Sequence, residues 1–277
     1  MPTRNRHLAL RCGAVLTGAT VLAQILYPLL HGSGRDSLTI AIVLLAAAAA
    51  LSHSYGSVGR IGPVALVIAA GLAFGAEVVG VHTGWPFGRY GYARTLGPVV
   101  LGVPILIAAA WIMMAWPAAL AARRLATRPV RRWLVGAWAL ASWDLFLDPQ
   151  MVAARHWTWA GHDPHLPGVP GVPVTNFLGW AALALAVAAV LQVPLRGTAP
   201  VDDAAPIAFY LWTYFGSILA FTVWLDLAGA ALWGALGMGV VAVPLLVRLA
   251  RTRHGALPLA RSPRGASPLV GPGRAAR

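Results

Sequence analysis

Long apolar stretches, separated by clusters of Arg, Pro and Gly, run along the chain from residue 12 to residue 248. They fall at 12–30, 38–52, 62–81, 96–121, 132–148, 174–194, 206–225 and 229–248. A helix needs about 20 residues to cross roughly 30 Å of hydrocarbon, and most of these runs are long enough. The pattern predicts an all-α polytopic bundle of about eight transmembrane helices. Runs 38–52 and 132–148 are short; the first is expected to tilt into protein contact, and the second carries acidic residues. Pro104, Pro117 and Pro244 should kink or open the helices that hold them. Gly71 and Gly75 form a small-xxx-small pair that should admit a neighbouring helix. No internal repeat stands out.

Composition agrees with a membrane protein. Of 277 residues, 58% are apolar and 10% charged, against about 25% charged in ordinary soluble domains. The formal net charge is +13. Its arginines lie in short loops and a tail between apolar runs, so anionic lipid headgroups are the expected partner and nucleic acid is not. With the N-terminus inside, the inner segments hold Arg4, Arg6, Arg11, Arg60, Arg196, the group from Arg123 to Arg132 and the tail from Arg248. The outer loops hold Arg35, Arg89, Arg94 and Arg155. This asymmetry predicts both termini cytoplasmic, in a multi-pass protein of the plasma membrane. The first run resembles a signal peptide at its Arg-rich start, but its apolar core of about 18 residues exceeds the usual 7–15, so a retained helix is expected. Residues 1–249 are expected to form one transmembrane domain, and 250–277 a disordered basic cytoplasmic tail. The lone Cys12 excludes an intrachain disulfide and a cysteine metal site. The histidines show no HExxH or HxxxH spacing, and no metal site is expected.

Four acids lie in or at the ends of apolar runs: Glu77, Asp144, Asp148 and Asp226. A carboxylate at membrane depth is costly and rarely lacks a partner or a task. In the eight-span topology all four fall toward the same, outer face. Asp144 and Asp148 are four residues apart, about 40° around a helix and about 6 Å along it, so they should share an inward face. Two carboxyl groups that close in a dry setting resist joint ionisation, so one should hold its proton. Three of the acids have a structural alternative. Asp148 precedes Pro149, as in an N-cap and N1 pair. Asp226 sits in a tight turn and suits a cap. Asp144 could pair with Arg89, Arg94 or Arg155. Glu77, in a Gly/Ala/Val stretch, has no local structural excuse.

The same level gathers aromatic and polar groups from separate loops. The stretch 84–92 contains Trp85, Phe87, Tyr90 and Tyr92, with Arg94 just beyond. Trp157 and Trp159 come from another loop, and Asn176 opens the sixth run. These aromatics read either as interfacial anchors or as a lid of flat apolar surfaces. His82, His156, His162 and His165 read as solvated loop residues.

Three blocks of the chain resemble a family of integral-membrane carotenoid-biosynthesis proteins, one that includes the CruF-type carotenoid 1,2-hydratases and the hydratase of the bacterioruberin pathway. The first runs from Pro86 to Tyr92, through Leu96–Pro98 and Gly102–Pro104, to Trp111–Met114. The second is Trp143–Pro149, continuing to Trp157–Trp159. The third is Gly171–Asn176 with Gly179 and Trp180. The likeness covers roughly residues 70 to 225, and the N-terminal 60 residues and the tail are expected to carry no chemistry. It implies an enzyme that adds water across the terminal 1,2 double bond of an acyclic carotenoid, giving a tertiary alcohol.

Such a reaction protonates the less substituted carbon, forms a tertiary cation and captures it with water. A carboxylic acid held dry can donate the proton, aromatic faces can stabilise the cation, and a second carboxylate can take a proton from the attacking water. On this reading Glu77 or Asp144 donates. Asp148 and Asn176 position water. Trp85, Tyr90, Tyr92, Trp143 and Trp157 wall the cation, with Phe87, Arg94 and Trp159 also in the substrate site. No metal, nucleotide or redox cofactor is required. The expected partners are a carotenoid in the bilayer, lipid headgroups and other carotenoid-pathway enzymes. A proton-coupled carrier of a hydrophobic substrate and a non-catalytic scaffold for carotenoid enzymes stay open as alternatives.

Overall fold

Backbone groups in hydrocarbon must find hydrogen bonds within their own segment, and the apolar runs do so as helices. The computed structural model describes residues 2–161, 163–198 and 202–255. The chain forms α1 (Pro2–Leu26), a short 3-10 turn at Tyr27–Leu29, α2 (Gly32–Val58) and α3 (Ile61–Thr83). Strands β1 (Tyr90–Tyr92), β2 (Val99–Val100) and β3 (Val103–Pro104) lead into α4 (Leu106–Leu125). Then come α5 (Pro129–Ala141), α6 (Asp144–Ala153), β4 (Trp157–Trp159), α7 (Val174–Leu195), α8 (Ala204–Val223) and α9 (Ala228–Gly255). Among the described residues, seven helices are long and apolar enough to cross a membrane: α1 to α4 and α7 to α9. Of the tail expected at 250–277, residues 250–255 continue α9 as helix, and the remainder lies outside the described residues.

Helix α4 is the axis of the bundle, with 78% of its most apolar window buried against 11% for α1. It packs against α2, α3, α5, α7, α8 and α9. Trp111, Met114 and Trp116 on α4 are fully buried. Small residues on α2, Ala46, Ala47, Ala49 and Ala50, are buried in its contacts with α1 and α4.

Three runs differ from their predicted form. Run 132–148 is not one span but two helices, broken at Ser142 and Trp143. After the break, Phe146 and Leu145 seat on α9 at Gly234 and Gly237. A Cβ at either glycine would lie within 2.4 Å of those side chains, so α6 is built to fit there. Run 96–121 begins as a β2–β3 hairpin, pairing Val99 with Pro104 and Val100 with Val103. Leu101 and Gly102, at φ 49° and 82°, make the two-residue turn whose positive φ values match strand twist. Run 38–52 extends to a 27-residue helix, because His53, Ser54 and Ser57 find partners that keep the helix going. Gly71 and Gly75 are exposed on α3 with open space around them, so no neighbouring helix of this chain uses the pair. Pro117 and Pro244 lie inside α4 and α9, while Pro104 lies in β3.

Strands β1 and β4 pair antiparallel, with Tyr90 opposite Trp159, Gly91 opposite Thr158 and Tyr92 opposite Trp157. Opposite residues share a face, so four aromatics stand on one side of this ribbon. The ribbon is pinned by Phe87, which wedges between α3 and α7. A Cβ added at Gly80 or Gly179 would fall 2.6 or 2.7 Å from its ring.

Candidate functional site

Under the ribbon, three acids are removed from solvent. Glu77, Asp144 and Asp148 are 3%, 0% and 2% exposed. Among the described residues, none of the three forms an ion pair with an arginine, so the expected pairing of Asp144 with Arg89, Arg94 or Arg155 is not made.

Each acid is held differently. Glu77 Oε2 accepts a hydrogen bond from Tyr92 at 2.8 Å and a short one from Tyr90. Burial pushes both phenols above their ordinary value, with Glu77 acting in the same direction, so both keep their proton and donate. Asp144 sits in the first turn of α6 and Asp148 one turn later. Asp148 is therefore inside a helix and not an N-cap, and Pro149 is carried within the same helix. Asn176, in the first turn of α7, spans the pair. Its side-chain N–H groups donate to Asp144 Oδ2 at 3.0 Å and to Asp148 Oδ2. The second oxygen of Asp144 is buried with no hydrogen-bond partner.

A cavity of about 1290 Å³, counted with its open mouth, meets this cluster. Glu77, Asp148 and Asn176 line it, and Asp144 stands behind Asp148. The walls are aromatic. Trp111 and Trp180 stack at 4.4 Å, with Trp143 edge-on to Trp180 at 6.2 Å. Tyr90 stacks on Trp159 at 5.5 Å, and Tyr92 meets Trp157 edge-on at 5.5 Å. Negative π-faces of this kind attract a cation.

Of the residues expected to contact substrate, Tyr90, Tyr92, Trp143, Trp157, Trp159 and Asn176 line the cavity. Three do not. Trp85 is 73% exposed, Arg94 is exposed, and Phe87 is the buried wedge described above. Asp226 is exposed in a turn at φ 54°, outside the cavity. His156 is buried and not solvated: Nδ1 lies 2.8 Å from Thr95 Oγ1, and Nε2 lies 3.8 Å from Asp36. His82 and His165 are exposed, and His162 lies outside the described residues.

The sequence reading passes over Trp111, Trp180 and Phe221 as wall residues. It also sets aside the N-terminal 60 residues, yet Gln24, Tyr27, Thr39, Ile42 and Val43 line the same cavity. The aromatic–small–aromatic triplets Tyr90-Gly91-Tyr92 and Trp157-Thr158-Trp159 carried a period-two signal for the ribbon.

No solved structure matches the chain. A curated relative, the bisanhydrobacterioruberin hydratase of Haloarcula japonica, is 33% identical over 132 residues. That match spans 44% of this chain and 42% of the relative, so the chain matches less than half of the relative's length. A family model described as "Carotenoid biosynthesis protein" matches residues 38–246. On that match, the chain belongs to the carotenoid biosynthesis protein family.

Proposed function

We propose that this protein is a membrane-embedded carotenoid hydratase that adds water across the terminal 1,2 double bond of an acyclic carotenoid by acid catalysis. The reading is carried by one observation. Two carboxyl groups, Asp148 and Glu77, face an aromatic-walled cavity, and a third, Asp144, backs one of them without a counter-ion. The relative's name, a hydratase, supports the same class of reaction.

The environments divide the roles. Asp144 and Asp148 are bridged by Asn176, and a dry pair of this kind shares a proton more readily than it holds two charges. Asp148 faces the cavity, so it gives the proton to the less substituted alkene carbon, and Asp144 acts through it. Glu77 accepts from two phenols, the pattern of a carboxylate, and takes a proton from the attacking water. The Trp111–Trp180 stack, Trp143 and the ribbon aromatics face the tertiary cation between these steps. General acid–base catalysis of this kind contributes about 10²–10⁴-fold.

The arginine distribution supports both termini on the cytoplasmic side of the cell membrane, with α5 and α6 together completing an eighth passage. Anionic headgroups then meet the arginine-rich loops, and neighbouring carotenoid enzymes share the bilayer.

The test is expression in a host that makes acyclic carotenoids, with pigments followed by mass spectrometry. The expected result is one added water per reacted end. Unaltered substrate with fully folded protein would remove the hydratase reading. A proton-coupled carrier would instead change substrate distribution without changing its mass.

A further inference from the structure

An acyclic polyene has no polar end to carry it through water, so its path to the acids must begin in hydrocarbon. One flank of the acid cavity is lined by α1 and α8. These helices run in the same direction. Thr17 and Thr20 of α1 share a small cavity with Pro206 and Phe209 of α8. One turn later, Trp212 Nε1 donates to Gln24 Oε1 at 2.9 Å. There the helices part. α1 ends at Leu26, about 3 Å past Gln24, whereas α8 continues to Val223, about 16 Å past Trp212. α1 therefore stops short of the last three or so turns of α8. α9 takes the opposite side of α8: Tyr214, about 200° around from Trp212, donates to the Ala235 carbonyl at 3.3 Å.

The flank of α8 that α1 leaves uncovered belongs to the cavity. Gly216 and Ala220 follow Trp212 at intervals of four on that flank; both line the cavity and are half-buried. Their small side chains keep α8 narrow there. Facing them, Tyr27 and Pro28 of the 3-10 turn line the same space. Around this gap the neighbouring side chains are apolar and exposed: Leu219 and Val223 on α8, Leu26 and Leu29 beside the turn. Such a rim suits acyl chains and not water. The groove between α5, α7 and α9 shares no lining residue with the acid cavity.

We infer that the acyclic end group enters sideways from the bilayer, through a slot between the outer half of α8 and the Tyr27–Leu29 turn, with the Trp212–Gln24 hydrogen bond as its inner sill. The inference rests on the hydration reading above. The sill is fixed by fit as well as by its hydrogen bond. The Trp212 indole lies against Gly216, where an added Cβ would come 3.3 Å from the ring. Gly216 and Ala220 meet the polyene on its way in and take no part in the proton transfers.

Variants of the full chain in lipid vesicles test the slot. Ala220→Cys, with the exposed Cys12 changed to Ser, is alkylated with N-ethylmaleimide and followed by mass spectrometry. With the acyclic polyene lycopene in the bilayer at about ten times its Kd, labelling should slow about tenfold. Ala208→Cys in the same background, exposed on another face of α8, should label at an unchanged rate. Ala220→Trp fills the slot and should lower kcat/KM for hydration about 10- to 100-fold, the size of an overpacked contact, while Ala208→Trp keeps wild-type turnover. Labelling of Ala220→Cys that ignores lycopene, or wild-type turnover by folded Ala220→Trp, overturns the slot. If Ala220→Trp fails to fold, the labelling decides. Protection of Ala220→Cys with no hydrated product from the wild type would remove the hydration reading and leave the slot standing. Hydrated product without protection would do the reverse.

Discussion

Two of the polar clusters buried in the bundle are opposites. The first is the acid cluster of Glu77, Asp144, Asp148 and Asn176. The second surrounds His53, on α2 some 14 residues beyond cavity-lining Thr39, or about 21 Å along the helix. There every group is matched. His53 Nε2 meets the Asp202 carbonyl at 2.8 Å, and Nδ1 accepts from Trp116 at 3.0 Å and meets Ser57 at 3.1 Å. Nearby, Arg124 grips both oxygens of Asp203. The acid cluster, by contrast, leaves an Asp144 oxygen without a partner and faces open space. The groups around His53 are saturated, whereas the acid cluster keeps unused bonding capacity beside a cavity, at a cost the fold must tolerate.

Substitutions can break this contrast. The largest expected effect is Asp148→Asn, which keeps the shape of the side chain but removes the acid. Hydrated carotenoid per folded molecule should fall about 10²–10⁴-fold with little change in melting temperature, as followed by pigment mass spectrometry and thermal unfolding in detergent. Undiminished product would group Asp148 with His53. Asn176→Leu comes next. It frees the two aspartates from their shared donor and should lower turnover about 10- to 100-fold, matching the loss of a hydrogen bond to a charged group. His53→Ala should behave in reverse: stability falls by about 1–3 kcal/mol while turnover per folded molecule is kept. A loss of turnover without a loss of stability would erase the distinction. The smallest effect belongs to Trp85→Ala. Its side chain is 73% exposed and does not line the acid cavity, so stability should move by less than about 0.5 kcal/mol and product yield should hold.

Much of the fold was legible because lipid imposes a simple rule on sequence. Seven of the apolar runs correspond to helices able to cross the membrane. The break at Ser142 was hidden, since hydropathy averages over it and what fixes it is the seating of Leu145 and Phe146 on glycines far along the chain. The β2–β3 hairpin was hidden for a similar reason: Val99, Val100 and Val103 are apolar in a strand or a helix alike. Within the site, Glu77, Asp148 and Asn176 stood out as polar residues in apolar surroundings. Trp111 and Trp180 did not, because an indole in an apolar run has no local mark that says which way it faces. Gln24, Tyr27 and Thr39 reach the cavity only through the packing of α1 and α2 against the rest, a long-range fact.

The β1–β4 ribbon sets a parity rule. Its ladder continues past the strands, from Ala93 to the His156 carbonyl at 2.7 Å and from Ala160 to the Arg89 carbonyl at 2.7 Å. Lengthening either strand by a single residue would turn Tyr90 and Tyr92, or Trp157 and Trp159, to the opposite side and strip Glu77 of its phenol donors or the cavity of its indoles. Inserts of two residues would preserve the facing. Loop growth in this region is therefore quantised in even steps between residues 89 and 93 and between 156 and 160, and free outside them.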